Sequence, residues 1–343
     1  MNAAATDPGY RVEDGLLVRD GDAAVAVWRS SLGNAAGRAA KLEWFYRAAP
    51  DGAHLKVLRA GAAREIVGTA GVGWRRMRMD GRGLRAGLLA DMAVQAAHRT
   101  LGPAMQLQRA ASDRALEGGD LAYGFPNANA VPVVKRLGYV HAGDMVLYAR
   151  ALRHAPYLER SLPRPFARLL GRCIDAAFAL RDGLRNLHRG RLHAQWLASP
   201  RDLVHPRWPH PGMLEGVRDN DSLQWRFAHN PLATFRFLYL GHDAAAPPVA
   251  WFVCRRDGEV LHIADFGFAP GADVAHCVAR LAGEAAAQGC RSIVVECCLP
   301  AEERSALLGA GFRERQRRPI YARWKDPAQA AQALRFTSFD EDE

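Results

Sequence analysis

Lysine is nearly absent from this chain: only Lys41, Lys56, Lys135 and Lys325 stand among its 46 basic residues, and arginine supplies the rest. Alanine is abundant as well, a combination that GC-rich coding produces on its own, so the net charge of +10 is a poor argument for a nucleic-acid partner. Long apolar runs are missing too. None reaches the ~18 residues a membrane-spanning helix requires, and residues 1–14 lack the apolar region of a signal peptide, so the expected location is the cytoplasm. Cys173, Cys254, Cys277, Cys290, Cys297 and Cys298 form no Cys-x-x-Cys pair and sit mostly in apolar segments. They are expected to be reduced core thiols rather than disulfides or metal ligands. His205 and His210 belong to a proline-rich stretch with no third ligand nearby, so no metal is expected there. There is no Walker loop and no Ser-His-Asp arrangement.

What the chain does contain is a strand feeding a phosphate loop. Residues 88–94 are apolar apart from Asp91, which suits a buried strand ending at Val94. Small and polar residues follow, then Gly102, Pro103 and a run through Met105, Leu107 and Leu116 that falls on a helix. Proline is best tolerated at the first helical position, where its missing amide has no intrahelical partner, so the helix is expected to start at Pro103. The free amides and partial positive charge of such a helix start attract a phosphate, and Gly102 lets one come close.

These residues resemble a known family. Arg99-x-x-Gly102-x-Ala104, after a strand ending in Ala93-Val94, looks like the acyl-CoA pyrophosphate loop, Arg/Gln-x-x-Gly-x-Gly/Ala, of the GNAT acyltransferase superfamily. Further on, Tyr123-Gly124-Phe125-Pro126-Asn127-Ala128-Asn129-Ala130 and the closing Leu137-Gly138-Tyr139 resemble that family's next strand, Asn-x-x-Ala helix start and helix end. The resemblance implies an acyl-CoA, acetyl-CoA above all, as co-substrate and no metal. It places the thioester against backbone amides of Met92, Ala93 and Val94, the pyrophosphate against Arg99, Thr100, Leu101, Gly102 and Ala104, and Asn127 beside the cofactor.

Acyl transfer to an amine needs a base for the amine and a proton for the departing thiolate. Asp91 is the candidate base, because a carboxyl within an apolar strand has its pKa raised by desolvation. For the acid, the family often carries a tyrosine four residues after the Ala of Asn-x-x-Ala; here that position is Val134, which cannot donate. Tyr139, Tyr123 and Tyr148 are the nearest phenols, and Tyr139 is the candidate acid even though it also suits the aromatic that closes the helix.

At 343 residues the chain fits two domains of about 150 residues each. The first, residues 1–150, reads as strand (10–19), helix (23–32), short helix (42–50), antiparallel strands (54–59, 65–75, 84–94), the phosphate loop, and a closing strand at 140–150. Residues 151–202 form a joint, an amphipathic helix with nine arginines between 153 and 191 against Glu159, Asp175 and Asp182. Phe166, Leu170, Cys173, Ile174, Ala177, Phe178, Leu184 and Leu187 share one face of it, expected to pack across both domains while the arginines stay solvated. The second domain, 203–330, echoes the first: Leu223-x-Trp225-x-Phe227 and Pro231 repeat the spacing of Leu42-x-Trp44-x-Tyr46 and Pro50. Its counterpart of the phosphate loop, residues 268–273, has no Arg/Gln-x-x-Gly and carries Asp273, so this copy is expected to have lost the cofactor site. Residues 331–343 end in four acidic residues and read as a frayed tail.

The expected fold is α/β (α+β): two tandem GNAT-like domains, each a mixed, mostly antiparallel sheet flanked by helices, joined by the amphipathic helix. The expected activity is acyl transfer from an acyl-CoA to a primary amine of a small molecule, sugar or peptide, with a homodimer possible. Two other classes share the features: an aminoacyl-tRNA-dependent ligase of the tandem-GNAT type, which the basic helix would suit, and a non-catalytic acyl-CoA-binding regulator, which Val134 would suit.

Overall fold

The computed structural model describes residues 9–32, 35–200, 212–243, 246–331 and 333–342; His205 and His210 lie outside them. The first half runs β1 (Arg11–Asp14), α1 (Leu17–Ser31), α2 (Arg38–Lys41) and a π-helical turn, Leu42–Arg47. Antiparallel β2 (Ala53–Ala60), β3 (Glu65–Met79) and β4 (Arg82–Val94) follow. α1 begins earlier than its apolar spacing suggests, because the buried Asp20 carboxylate accepts from the Leu16 amide (2.9 Å) and from Arg59 (2.8 Å). α3 (Leu101–Gly118) returns the chain so that β5 (Leu121–Gly124) lies parallel to β4, and α4 (Val131–Arg136) leads into β6 (Val140–Ala151). Pro103 is thus the third residue of α3 rather than the first, a place where its missing amide still breaks no helical bond.

After α5 (Ala155–Leu158) and α6 (Arg164–Arg189) come β7 (His193–Leu197), β8 (Met213–Gly216), α7 (Asn220–Leu223) and a second π-helical turn, Gln224–Ala228. β9 (Arg236–Gly241), β10 (Ala250–Asp257) and β11 (Val260–Phe268) are antiparallel; α8 (Val274–Ala287) then brings β12 (Ser292–Cys298) parallel to β11. α9 (Ala301–Gly309), β13 (Arg313–Trp324) and β14 (Ala333–Thr337) complete the order.

The strands join into one sheet, ordered β1-β2-β3-β4-β5-β13-β6-β12-β11-β10-β9-β7, that crosses the boundary expected at residue 150 without a break. β6 does not close the first half on its own. β13 enters between β5 and β6, while β6 pairs with β12, so the last strand of each half lies in the sheet of the other. β14 pairs with β12 and β8, and β8 pairs with β3, which closes eight of the strands into a barrel. One apolar cluster fills it, drawing Leu88, Tyr123, Met145, Leu214, Ile320 and Phe336 together with Trp44 and Trp225 of the two π turns. Those tryptophans stack at 5.0 Å, and each indole donates to the other's carbonyl, Trp44 to Trp225 at 2.8 Å and Trp225 to Trp44 at 3.0 Å. Such a reciprocal contact is what a two-fold axis produces.

Three expectations change. α6 packs through the narrow face Ala167, Gly171, Ile174, Phe178 and Asp182, where Gly171 admits the Ala155 backbone and Asp182 pairs with Arg150; Phe166, Leu170 and Leu184 face outward. Cys173 is exposed with them rather than in the core. The C-terminus is not frayed through residue 342. β14 is followed by a capped turn, Ser338–Asp340, and each acid after it finds its own cation, Asp340 with Arg218 (2.8 Å), Glu341 with Arg318 (2.9 Å) and Asp342 with Lys41 (2.9 Å). Among the described residues, no helix is long and apolar enough to cross a membrane.

Candidate active site

The site begins with a bulge. Thr69 pairs with Ala93 and Gly71 with Ala90, so Asp91 and Met92 of β4 oppose Ala70 alone. Asp91 takes φ = 48°, a left-handed conformation that costs a non-glycine residue about 1–2 kcal/mol. A relay holds it there: the Trp28 indole donates to Thr69 Oγ1 (2.8 Å), and that hydroxyl donates to the Asp91 carbonyl (3.1 Å). The carboxylate, only 1 % exposed, accepts from Lys41 Nζ (2.8 Å) and Tyr46 Oη (2.9 Å), with Arg38 at 3.8 Å. Lys41 and Tyr46 are five apart, and the wider π turn, marked by the Ala48 amide reaching back to Glu43, brings them onto one side. Gly71 makes this possible, since a Cβ there would sit 2.0 Å from the Tyr46 oxygen.

Beyond Leu88, β4 and β5 part. They pair only at Ala86–Leu88 with Leu121–Tyr123, which leaves that edge of β4 without a ladder from Leu89 onward. A cavity of about 350 Å³ fills the gap, lined by Asp91, Met92, Phe125, Asn127, Tyr139 and Asp342 among others. Its walls include Val134, Tyr139 and Tyr321 from the cluster on the α3 side and Arg38 and Asp342 from the π-turn side, so it passes through the sheet. The Asn127 Oδ1 is committed to capping the turn into α4, accepting from the Asn129 and Ala130 amides at 3.1 and 3.0 Å.

Ala93, Val94, Arg99, Thr100, Leu101, Gly102 and Ala104 do not line this cavity. They form the exit from β4 and the start of α3, exposed from Arg99 to Gly102. Arg99 donates to the Val94 carbonyl through Nε (3.2 Å) and Nη2 (3.1 Å), which fixes the loop. Thr100 makes no side-chain cap, and a Cβ on Gly102 would meet nothing within 4 Å. Protein packing therefore does not require glycine there; a group approaching the helix start would. The second half differs at the same place, because the Asp273 carboxylate accepts from the His276 amide (3.1 Å) and caps α8 with the chain's own negative charge.

Burial sets the electrostatics. It raises the Asp91 carboxyl above its ordinary value, with the nearby Asp342 adding to the rise and Lys41 opposing it. Burial alone would raise Asp342 as well, but Lys41 and Arg226 outweigh it and hold that carboxyl low. Burial and the Asp91 charge push the Tyr46 phenol well above its usual range. Tyr139, pushed up to about 12 by burial, donates to Ser112 Oγ at 2.8 Å. Lys41, Tyr46, Asp342 and Tyr321 did not stand out in the sequence; Lys41 had only its rarity to mark it, and Tyr321 arrives on the exchanged strand β13.

No protein-family model and no curated protein matches the chain. Solved structures do. A protein of Enterococcus faecalis V583 described as of unknown function and probable N-acyltransferase superposes with a TM-score of 0.62 at 10% identity, over 92% of this chain and 72% of that one. A GCN5-related N-acetyltransferase from Anabaena variabilis gives 0.59 at 11%, over 92% and 73%, and one from Kribbella flavida 0.58 at 15%, over 94% and 72%. The fold is that of the GCN5-related N-acetyltransferases, the GNAT superfamily.

Proposed function

We propose that this chain is an acyl-CoA-dependent N-acyltransferase made of two tandem GNAT-like halves, of which the first alone binds the cofactor. The observation that carries the reading is the gap between β4 and β5, a cavity through the sheet lined by Asp91 and Met92 of the same strand whose exit leads into the uncapped start of α3. Acetyl-CoA or another acyl-CoA supplies the activated thioester. The α3 amides and Arg99 hold its pyrophosphate where Gly102 gives room, and the free edge of β4 at Met92–Val94 offers amides to the thioester carbonyl. The acceptor, a primary amine of a small molecule, sugar or peptide, enters from the π-turn side in the cytoplasm.

Asp91 takes the amine's proton, acting through water because its side chain is so deeply buried. For the thiolate, Tyr139 gives its proton to Ser112, whereas the Tyr321 hydroxyl makes no hydrogen bond among the described residues and packs in the same cluster as Val134. Tyr321 is therefore proposed as the donor that replaces the missing phenol at 134.

Thermal denaturation tests the cofactor half of this reading. Acetyl-CoA or CoA should raise the melting temperature, as any ligand selective for the native state does, and Gly102→Glu should abolish the shift. An unchanged shift in that variant removes the loop from the site. In acetyl-transfer assays with a panel of amines, Tyr321→Phe should lower kcat about 10²-fold or more while leaving the CoA-induced shift intact. Binding of CoA with no turnover of any amine would favour a regulator instead.

A further inference from the structure

The second half keeps a cavity where the first half has its cleft, and the acyl-transfer reading makes no use of it. The β11–β12 ladder ends at Ile263 with Val295, and a cavity of about 270 Å³ opens there, reaching Ala264 and Glu296 one residue further along each strand. That is the space of roughly nine waters at about 30 Å³ each. Leu147, Phe227, Phe235 and Val294 give it apolar walls.

Its charge differs from that of the first cavity. Asp91 and Asp342 line the first beside Arg38, whereas Arg226, Arg255 and His262 line the second. Glu296 lines it too, but Arg318 already holds that carboxylate at 2.6 Å. Arg226 is only 1% exposed, and its guanidinium donates to the Ser338 carbonyl from Nε at 3.2 Å and from Nη2 at 2.5 Å. Arg255 and His262 stand directly opposite each other on β10 and β11, both half-buried. Two basic side chains at such a cross-strand pair repel when both are charged. Among the described residues the Arg255 guanidinium makes no hydrogen bond or ion pair, and the His262 ring makes no hydrogen bond. The fold gains nothing from this pairing, and an anion between the two would relieve it. The planar fork of an arginine matches a carboxylate, and the apolar walls accept the body of an organic ligand. An amine would meet three basic groups here, and a bare inorganic anion would leave the phenylalanines facing water.

We propose that this cavity of the second half binds a small organic carboxylate, with its head between Arg255 and His262 and its apolar body against Phe227, Phe235 and Val294. The half that has lost its phosphate loop is thus a binding half. The proposal stands independently of what the first half transfers.

Calorimetric titration of the full chain with phenylacetate and hexanoate tests it, with phenylacetamide and hexanamide as their neutral counterparts. At least one of the two carboxylates should bind, and its amide should bind about tenfold more weakly or worse, because the charge-assisted contacts are lost. Arg255→Gln should weaken the carboxylate by about the same factor. Arg255 is half-buried and unpaired among the described residues, so the melting temperature of that variant should match the parent. The His262 ring gives a second readout in the unaltered protein. Burial and Arg255 lower its pKa, Asp257 acts in the opposite direction, and Arg226 and Glu296 line the same cavity. Saturation with the carboxylate should raise the His262 pKa by about half a unit or more, followed by NMR at the ring and assigned with His262→Gln. Binding of neither carboxylate more tightly than about 10 mM overturns the proposal. So does equal binding of the amides, undiminished binding by Arg255→Gln, or a His262 pKa that saturation leaves unmoved.

Discussion

Lys41 is a buried cation between two carboxylates, and its worth to the fold is set by what its loss would leave behind. Removing it strands Asp91 and Asp342 on either side of an apolar gap, each deprived of the partner that offset its desolvation. Breaking a buried pair in this way costs about 3–5 kcal/mol, so Lys41→Met should lower stability by that amount. Tyr46→Phe deletes only a neutral donor to the same carboxylate, about 1.5–3 kcal/mol. Asp91→Asn should cost less than Lys41→Met, because Lys41 keeps Asp342. Urea unfolding of the three variants gives the order; a Lys41→Met protein within 1 kcal/mol of the parent would mean that water reaches and solvates the cluster.

The elements differ in how far they can be read from the chain. β4, its loop and α3 were legible because apolar period, glycine and proline all point to the same turn, and Asp91 was visible as the lone carboxylate in its strand. Its partners were not, since Lys41 lies 50 positions away and Asp342 belongs to an acidic run that reads as solvated. β13 is harder still, for Arg313–Trp324 carries six charged residues and Pro319, and only insertion between β5 and β6 makes it a strand. The face of α6 was misread because its apolar stripe suggests a core helix, whereas Gly171 and Asp182 decide the packing.

The tail carries a test of its own at this scale. Burial outweighs Arg318 and raises the Glu341 carboxyl to about 7, from 4.5 in the open chain. Between those values the native state holds a proton that the unfolded chain has released, so this group's contribution to stability falls as pH rises from about 4.5 to 7. Below and above that window it is flat. Glu341→Gln removes the titration, so the stability of the variant relative to the parent should climb across the same interval in urea titrations at stepped pH. A difference that does not change between those pH values places Glu341 in water.

At the scale of the molecule, the two halves share strands, a barrel and a reciprocal tryptophan pair, yet their helix starts are not equivalent. α3 begins with Thr100 uncapped, Gly102 open on one side and Arg99 alongside. α8 begins with Asp273, whose carboxylate already occupies the His276 amide, and no arginine occurs in residues 268–273. An anion placed about 4 Å from that carboxylate meets a repulsion of about 1 kcal/mol in water and about 4 kcal/mol near a protein surface. It also has to displace a hydrogen bond the chain has made for itself. CoA should therefore bind once per chain, at the first half. Calorimetric titration, with the active fraction fixed independently, measures this directly. A stoichiometry of two would show that Asp273 yields its place to the cofactor, and the asymmetry of the halves would then lie somewhere other than in the phosphate loop.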